Sequence, residues 1–156
     1  MAVTRELSNK FKLELGKGSI NFSDATAGAF RVILMKAMAD FTFDRDTHGT
    51  YGDVKTGEIS TAGGYEKLTK PLVIDAAWAQ DNVNNKALID WANVTWTASG
   101  AALDTTSAAI VLQYDAGNSG DDSLVVGCIN FGEDIDVLAG VAFVLQNLGF
   151  DLKQGV

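Results

Sequence analysis

Alternation of apolar and polar residues is the strongest pattern along the chain. Residues 10–15, KFKLEL, alternate charged and apolar side chains, which predicts a strand with one buried face. Residues 41–43 alternate in the same way. Residues 29–35 form a denser apolar run whose length fits a strand buried on both faces, although the pattern also allows a short buried helix that extends to Met38. The first third of the chain is therefore predicted to consist mainly of strands.

The second half contains five apolar runs of strand length. These runs cover residues 72–74 (which can continue to Trp78), 88–97, 109–114, 124–131 and 137–145. The turn-forming residues that separate them lie at 81–85, 99–100, 115–122 and 132–134. Short strands at nearly regular spacing, with such turns between them, are typical of an all-β sandwich or barrel.

The second of these runs changes face once. Ile89 and Trp91 share one parity, whereas Val94 and Trp96 have the opposite parity. Because a shift of one residue turns every side chain to the other face of a sheet, a β-bulge near residues 92–93 is the simplest way to keep all four inside.

A long polar segment interrupts the pattern of strands. Residues 44–64 are rich in Gly, Asp and Thr, which predicts a loop or an extended arm without a core-facing element. We therefore predict an all-β fold, an antiparallel β-sandwich of jelly-roll-like or Greek-key kind, with a long polar loop and an N-terminal extended arm. Residues 1–18 are predicted to be that arm or an edge strand, and residues 19–156 to form a single sandwich domain.

Composition narrows the classes of function. The 156 residues suit one domain, and 47% hydrophobic with 21% charged residues is ordinary for a globular protein. The net charge is −8, whereas a protein that binds the phosphate groups of nucleic acids usually has a basic surface. We therefore expect no nucleic-acid partner. No apolar stretch reaches the roughly 18 residues of a membrane span and the polar start shows no secretory signal, so we expect no membrane partner.

Two acidic clusters are candidate cation sites. The first combines carboxylates with the single histidine: Asp44, Asp46, His48 and Asp53. Such side chains suit several divalent metals, but a solvated loop explains them more simply. The second cluster lacks the order of an EF-hand loop and is better explained as a turn between strands: Asp115, Asn118, Asp121 and Asp122. We therefore expect no metal and no cofactor.

Residues suited to catalysis are sparse. A Ser-His-Asp triad would have to use His48, and the sequence has no Gly-x-Ser-x-Gly motif. Cys128, the single cysteine, lies in an apolar run without a basic neighbour, which is typical of an inert buried thiol. The 20 acidic residues leave glycoside hydrolysis open as a hypothesis without selecting a pair. We therefore expect a protein that is not an enzyme.

The tryptophans allow two interpretations. Trp78, Trp91 and Trp96 are candidates for a platform that stacks on sugars. Their positions in predicted strands favour the core or a subunit interface, because aromatic side chains bury a large area.

Five short segments carry a resemblance to a known class of protein. They are GGY at 63–65, ANVTWTAS at 92–99, AIV at 109–111 with YD at 114–115, GCINFG at 127–132, and AG at 139–140 followed by VAFV. In this order and spacing, residues 57–149 resemble small structural proteins of tailed bacteriophages that are encoded beside the major capsid protein. Cys128 departs from the pattern, which usually has an aromatic or aliphatic residue at this position.

The resemblance implies a structural role on a virus particle. Proteins of this kind are head decoration or cement proteins, or bases for head fibres, and many form trimers at local three-fold positions. The implied function is to decorate and stabilise the capsid exterior by binding between major capsid protein subunits, as a homotrimer, after synthesis in the bacterial cytoplasm. The alternative is a tail or head-fibre component that recognises host surface carbohydrate.

Two polar regions are the predicted contact sites with the capsid or with other subunits. Both are predicted to reach beyond the sandwich, where a strand can pair with another sheet through main-chain hydrogen bonds. The candidate residues are Lys10, Phe11, Lys12 and Leu13 in the arm, and Arg45, His48 and Tyr51 in the long loop.

Overall fold

The computed structural model describes residues 2–20, 28–75, 79–84 and 86–153. These residues form nine β-strands and two short α-helices, and every strand pairing is antiparallel. The strands are β1 (Thr4–Leu7), β2 (Phe30–Met35), β3 (Ala79–Asp81), β4 (Lys86–Trp91), β5 (Val94–Thr97), β6 (Thr106–Gln113), β7 (Leu124–Ile135), β8 (Ala142–Leu145) and β9 (Leu148–Lys153). The helices are α1 (Asn9–Gly16) and α2 (Tyr51–Val54). The predicted all-β, antiparallel, sandwich-like fold is confirmed.

The strands belong to three sheets. A four-stranded sheet has the order β1-β7-β6-β2, a three-stranded sheet has the order β3-β4-β9, and β5 pairs with β8. One face of the four-stranded sheet packs on the two smaller sheets through what we call the sandwich core, a cluster of buried side chains that includes Val32, Trp91, Trp96, Val111, Phe131 and Phe150. The two smaller sheets therefore form the second layer of the sandwich.

The other face of the four-stranded sheet is also buried. It carries Ile33, Met35, Ile110 and Cys128, which pack against residues of the long connection in what we call the loop-side cluster. Consecutive β2 residues alternate between the two clusters, as the two-residue period of a strand requires. The prediction that the first dense apolar run forms a strand buried on both faces is confirmed by β2.

A bulge in β7 adjusts which residues reach each face. Val111 pairs with Gly127, but Leu112 pairs with Val125, so β7 has one extra residue opposite β6 at this point. A Cβ atom at Gly127 would lie 2.7 Å from Cε1 of Phe150, so the absence of a side chain lets the aromatic ring approach the sheet.

The prediction of a strand at residues 10–15 is wrong, because these residues lie in α1. Ser8 caps the helix, since its Oγ accepts a hydrogen bond of 3.0 Å from the backbone N–H of Phe11. Phe11 is fully buried in the sandwich core, whereas Leu13 is exposed. The helix ends at residues 16–19, where Lys17 N–H donates to the Leu13 carbonyl.

The N-terminal segment as a whole is therefore not an extended arm. Residues 4–7 form β1, which is an edge strand of the four-stranded sheet and pairs with β7 from Thr4↔Asn130 to Leu7↔Gly127. The helix that follows packs on the sandwich through Phe11. Of the two alternatives for residues 1–18, the structure shows the edge strand, followed by a helix.

The long connection at residues 44–64 contains core-facing residues, contrary to the prediction. It includes α2, a 3-10 turn at Lys55–Gly57, and the buried residues Glu58 and Ile59. Residues 41–43, predicted to alternate as a strand, have no strand structure. Residues 72–74 form only an isolated bridge between Ile74 and Trp91, and the predicted continuation to Trp78 lies outside the described residues.

Two further boundaries differ from the sequence pattern. The change of parity near residues 92–93 does not need a bulge, because the chain leaves the three-stranded sheet after β4 and enters the two-stranded sheet at β5. The predicted turn at residues 132–134 lies inside β7, and β9 was not predicted. In the part of the chain that the structure describes, neither helix is long and apolar enough to cross a membrane.

Candidate functional site

The two predicted contact regions lie side by side on the surface. The backbone N–H of Asn9 donates to the Arg45 carbonyl at 3.0 Å, and the Asn9 side chain donates to the Asp46 carboxylate. The stem of Lys10 packs against Gly49, where an added Cβ would lie 2.7 Å from Lys10 Cδ. These contacts fix the start of α1 against the loop, so the two regions form a single surface.

Four of the seven predicted contact residues are exposed on that surface. They are Lys10, Lys12, Leu13 and Arg45. The side chain of Leu13 faces solvent with 56% of its surface exposed, and the Arg45 guanidinium pairs with Glu6 at 3.3 Å. This surface, which we call the α1 surface, therefore combines three cationic side chains with one exposed apolar residue.

Two of the other predicted contact residues are buried in the structure. Phe11 and Tyr51 are buried, with 0% and 7% of their surface exposed. Phe11 was predicted on the apolar face of a strand within an arm, and it lies instead on the inward face of α1. Tyr51 was assigned to a solvated loop, but its ring belongs to the loop-side cluster.

His48 is half-buried and helps to close the loop. Its ring stacks on Phe41 with centroids 5.7 Å apart and also packs against Phe43. Its Nδ1 accepts a hydrogen bond of 3.1 Å from the backbone N–H of Asp44. The histidine therefore holds the backbone beneath the α1 surface and presents little of its ring to a partner.

The carboxylates around His48 bind the backbone of their own loop. The pKa of Asp44 is lowered by hydrogen bonds from the backbone N–H of Asp46 and from the Thr47 hydroxyl. Asp53 accepts hydrogen bonds from the N–H groups of Gly49 and Thr50 at 3.1 and 2.8 Å. Among the described residues, no group of three or more His, Cys, Asp or Glu side chains is arranged to hold a metal ion.

The second acidic cluster is also used locally. Asp115 accepts a hydrogen bond of 2.8 Å from the backbone N–H of Gly117, at the start of a 3-10 turn over Gly117–Gly120. Asp121 pairs with Lys55 at 2.6 Å, which joins this turn to the end of α2. These contacts agree with the interpretation of this cluster as a turn between strands.

A buried carboxylate at the edge of β2 joins a tyrosine of the loop-side cluster to a tyrosine of the sandwich core. Glu58 is fully buried, and its two oxygens accept hydrogen bonds from the Tyr51 hydroxyl at 2.6 Å and from the Tyr65 hydroxyl at 2.7 Å. Glu58 also accepts from the backbone N–H of Leu68 at 3.0 Å, and the Tyr65 oxygen accepts from the backbone N–H of Leu34 at 3.0 Å. The network therefore ties the long connection to β2.

The environment of the network favours neutral phenols. Burial, together with the nearby Glu58 carboxylate and its hydrogen bonds, raises the pKa of Tyr51 and of Tyr65. We call this cluster the Glu58 network. We interpret it as a set of contacts that stabilises the fold. The sequence spaces Tyr51, Glu58 and Tyr65 seven residues apart. This regular spacing is a trace of the network in the sequence, but it matches no known functional motif.

The GGY segment of the resemblance has a structural role next to this network. Gly63 has a φ of 58°, and a Cβ atom there would lie 2.6 Å from the Ala102 carbonyl oxygen. Gly64 also has a positive φ, of 84°. The two glycines therefore let the chain pass close to residues 101–102 before Tyr65 enters the core.

Two of the tryptophans and the cysteine lie in the interior, as predicted. Trp91 and Trp96 have 1% and 5% of their surface exposed, so neither provides a platform for a sugar. Trp78, the third, lies outside the described residues. Burial raises the pKa of the Cys128 thiol to about 12, with a further contribution from the charge of Glu6. The interpretation of Cys128 as a buried thiol is confirmed.

A groove of about 790 Å³ borders the α1 surface. It lies between two edge strands, β1 and β9, and α1 contributes part of one wall. The residues that line it are Thr4, Arg5, Glu6, Leu7, Lys12, Leu15, Arg45, Phe150, Asp151 and Leu152. Lys12 and Arg45 belong both to the groove and to the α1 surface, so the two features are continuous.

No family model matches the chain, and neither a curated protein nor a solved structure does. The relation to bacteriophage structural proteins therefore rests on the sequence segments alone. The geometry adds where those segments lie: Tyr65 of GGY and Trp96 of the second segment belong to the sandwich core, and the α1 surface lies outside residues 57–149.

Proposed function

We propose that the chain is a virion structural protein that decorates the exterior of a bacteriophage capsid and stabilises it by binding between major capsid protein subunits. The observation that carries the proposal is the α1 surface, on which two regions selected for contact from the sequence lie together. Its exposed residues project from a helix and a loop that hydrogen bonds hold rigidly to each other. A rigid surface loses little conformational entropy when it binds.

Repetition makes such a surface sufficient for stabilising a shell. Three exposed cations and one exposed leucine give only a modest contact area for each copy. Many copies bound to one closed shell act together, so a contact of a few kcal/mol per copy has a large total effect.

A second surface supports self-association as a homotrimer. The turn before β8 and the outer face of β8 expose Leu138, Val141 and Val144, with 66%, 49% and 45% of their surfaces exposed. Residues 137–145 contain no charged side chain, and β8 pairs only with β5 in the described part of the chain. An uncharged apolar edge of this kind promotes aggregation of a monomer unless another subunit covers it.

The test of the proposal is the copy number in purified virions, measured by quantitative mass spectrometry relative to the major capsid protein. Hundreds of copies per particle are expected for a decoration protein. A handful of copies would place the chain at a vertex or in the tail, and its absence from virions would contradict any structural role in the particle.

Binding to the shell tests the α1 surface separately. The double variant Lys10→Glu and Lys12→Glu should bind shells that lack the protein at least about tenfold more weakly, because the charge of a contact surface is reversed. Lys67→Glu, at an exposed lysine elsewhere on the molecule, is the control and should bind normally. Equal binding of both variants would contradict the assignment of this surface.

A further inference from the structure

The groove between β1 and β9 has the geometry of a site for another strand. Each of these strands is the last in its sheet among the described residues, so the sandwich is open along this side. The Arg5 side chain crosses the opening at one end, where it donates to the Asn147 carbonyl at 3.1 Å. Between that contact and α1, the edge of β1 borders the groove.

Within the described residues, no backbone hydrogen bond reaches the outer groups of β1. Ser8 N–H donates to the Val126 carbonyl at 3.0 Å, which makes Ser8 and Val126 a hydrogen-bonded pair of the antiparallel ladder. Because such pairs alternate with non-hydrogen-bonded ones, the N–H and C=O groups of Arg5 and Leu7 point away from β7. These four groups are the ones that an added strand would use.

The floor of the groove is apolar. Phe150 is buried at its base, and Leu7, Leu15 and Leu152 are partly buried residues packed against the sandwich core. Apolar side chains from alternate positions of an added strand would bury further area against this floor.

The rim of the groove is more basic than the rest of the molecule. Its lining includes three of the 12 basic residues of the chain but only two of the 20 acidic ones. Arg45 is paired with Glu6, and Asp151 with Lys86. Neither Arg5 nor Lys12 takes part in any of the four ion pairs found between described residues. Two cations of the lining therefore lack a carboxylate partner there.

We propose that this groove binds an extended, acidic segment of a partner protein, which adds as a strand to the free edge of β1. Main-chain hydrogen bonds to Arg5 and Leu7 hold the segment, its apolar side chains contact the floor, and its carboxylates pair with Arg5 and Lys12. The four residues of β1 span about 14 Å, so the segment needs about four to six residues in strand conformation.

A partner protein fits this site better than a second copy of the chain. Each copy carries a net charge of −8, so two copies repel each other at long range, and a contact between copies has to be apolar, as at the uncharged edge of β8, rather than electrostatic as in this groove. An acidic segment on an otherwise neutral or basic partner is attracted by the rim without this penalty. The inference stands apart from the proposed function, because it concerns any partner that carries such a segment.

The experiment selects ligands from a displayed library of random twelve-residue peptides, using the full chain as bait. We expect the enriched peptides to contain acidic residues alternating with apolar ones. Hydrogen exchange should then show that a selected peptide slows exchange of the Arg5 and Leu7 amides, with little change at Glu6, whose N–H already faces β7. Binding should weaken as salt is added, because salt screens the exposed charges.

Matched variants separate this site from general charge attraction. Arg5→Glu with Lys12→Glu should weaken binding of the selected peptide by about tenfold or more. The control pair Lys17→Glu with Lys67→Glu makes the same change in net charge outside the groove lining and should leave binding unchanged. An unchanged melting temperature for both pairs shows that each is folded.

Several results would overturn the inference. These are a failure to enrich any peptide, enrichment of basic peptides, equal weakening by both pairs of variants, or no protection of Arg5 and Leu7. Self-association that the Arg5 and Lys12 variants abolish would assign the groove to a second copy instead. None of these measurements uses virions, so the outcome is independent of the copy-number test.

Discussion

The two faces of the four-stranded sheet are buried in different ways. On one face, aromatic and aliphatic side chains of two other sheets fill the sandwich core, and Trp91 packs against Phe30 and Phe150 with ring centroids 5.4 and 6.3 Å apart. On the other face, side chains of an irregular segment cover the sheet in the loop-side cluster, and the Glu58 network at the edge of β2 holds that segment through hydrogen bonds. One cover is held by apolar packing between strands, the other by apolar packing together with a few polar contacts at fixed positions.

The difference shows how an irregular segment can serve as part of a core. Apolar packing tolerates changes of shape when volume is kept, but it needs regular elements that present many side chains to each other. The long connection has few such elements, and a buried carboxylate that accepts three hydrogen bonds from the protein fixes its position instead. Buried polar contacts of this kind are costly when incomplete, so they specify one arrangement.

The largest expected effect is the loss of an aromatic ring from the sandwich core. Phe150→Ala should lower the free energy of unfolding by about 3–5 kcal/mol, because it removes a fully buried ring and leaves a cavity. Urea unfolding followed by tryptophan fluorescence measures this loss. Phe43→Ala, at a partly buried ring on the loop side, is the matched comparison and should cost clearly less. Equal losses would mean that the two faces do not differ in the proposed way.

Removal of the charge from Glu58 tests the loop side directly. In Glu58→Gln, the amide offers N–H groups where the structure has two hydroxyl donors and one backbone donor, so the free energy of unfolding should fall by about 1–3 kcal/mol. Glu133→Gln, at an exposed carboxylate, is the control and should change it by less than about 0.5 kcal/mol. A Glu58→Gln variant as stable as wild type would show that packing alone holds the segment.

The same network predicts a loss of stability in alkali. The pKa of Tyr51 and of Tyr65 is raised in the folded protein, so both phenols stay protonated there while those of the unfolded chain ionise near pH 10. Their contribution to stability is complete below pH 10 and is lost as the pH rises above it, by about 1.4 kcal/mol per pH unit for each phenol. Unfolding measured from pH 8 to 11 should show this slope, and Tyr51→Phe should reduce it. An unchanged slope in that variant would contradict a shared role.

The smallest expected effect concerns the exposed start of α2. Burial acts to raise the pKa of Asp53, but hydrogen bonds from Thr50 and Gly49 outweigh it, so the pKa is lowered. Asp53→Asn should therefore cost about 0.5–1 kcal/mol at pH 7, similar to the loss of a helix cap. Because the folded pKa lies below the unfolded value near 3.9, the difference between variant and wild type should vanish as the pH falls through this range. A difference that persists at pH 2 would show that charge is not its cause.

The sequence pattern predicts the strands whose burial follows from apolar side chains alone. The runs that overlap β2, β4, β5, β6, β7 and β8 were recognised, and so was the interior position of Trp91 and Trp96. These elements are buried by regular packing, which leaves a direct trace as a dense or alternating apolar pattern.

Helix α1 was missed because the apolar pattern of residues 10–15 fits both the period of a strand and the period of a helix. Alternation at positions 11, 13 and 15 fits a strand, while Phe11 and Leu15 are also four residues apart, as on one face of a helix. Ser8 at the start was the local signal for the helix, since serine is a preferred N-cap. Leu13 is exposed, which shows that position on the helix, and not alternation along the chain, determines which of these side chains are buried.

The Glu58 network and the single α1 surface were missed for a different reason. Tyr51, Glu58 and Tyr65 meet only because the segment folds back on β2, and a polar pattern does not reveal which carboxylate becomes buried. Likewise, residues 10–13 and 45 are distant in sequence, and contacts from Asn9 to the loop bring them together. Both features depend on tertiary geometry that no local pattern encodes.

The pairing of β1 with β7 also sets the order of events during synthesis. Thr4 has to wait for Asn130, far along the chain, before its strand can pair, and the wall of the groove formed by β9 is completed only by residues 148–153. Contacts between such distant segments form slowly, because a long loop must close first. A nascent chain therefore has no groove until residues 148–153 have been made, and recognition of a partner there begins only after β9 has folded against the core.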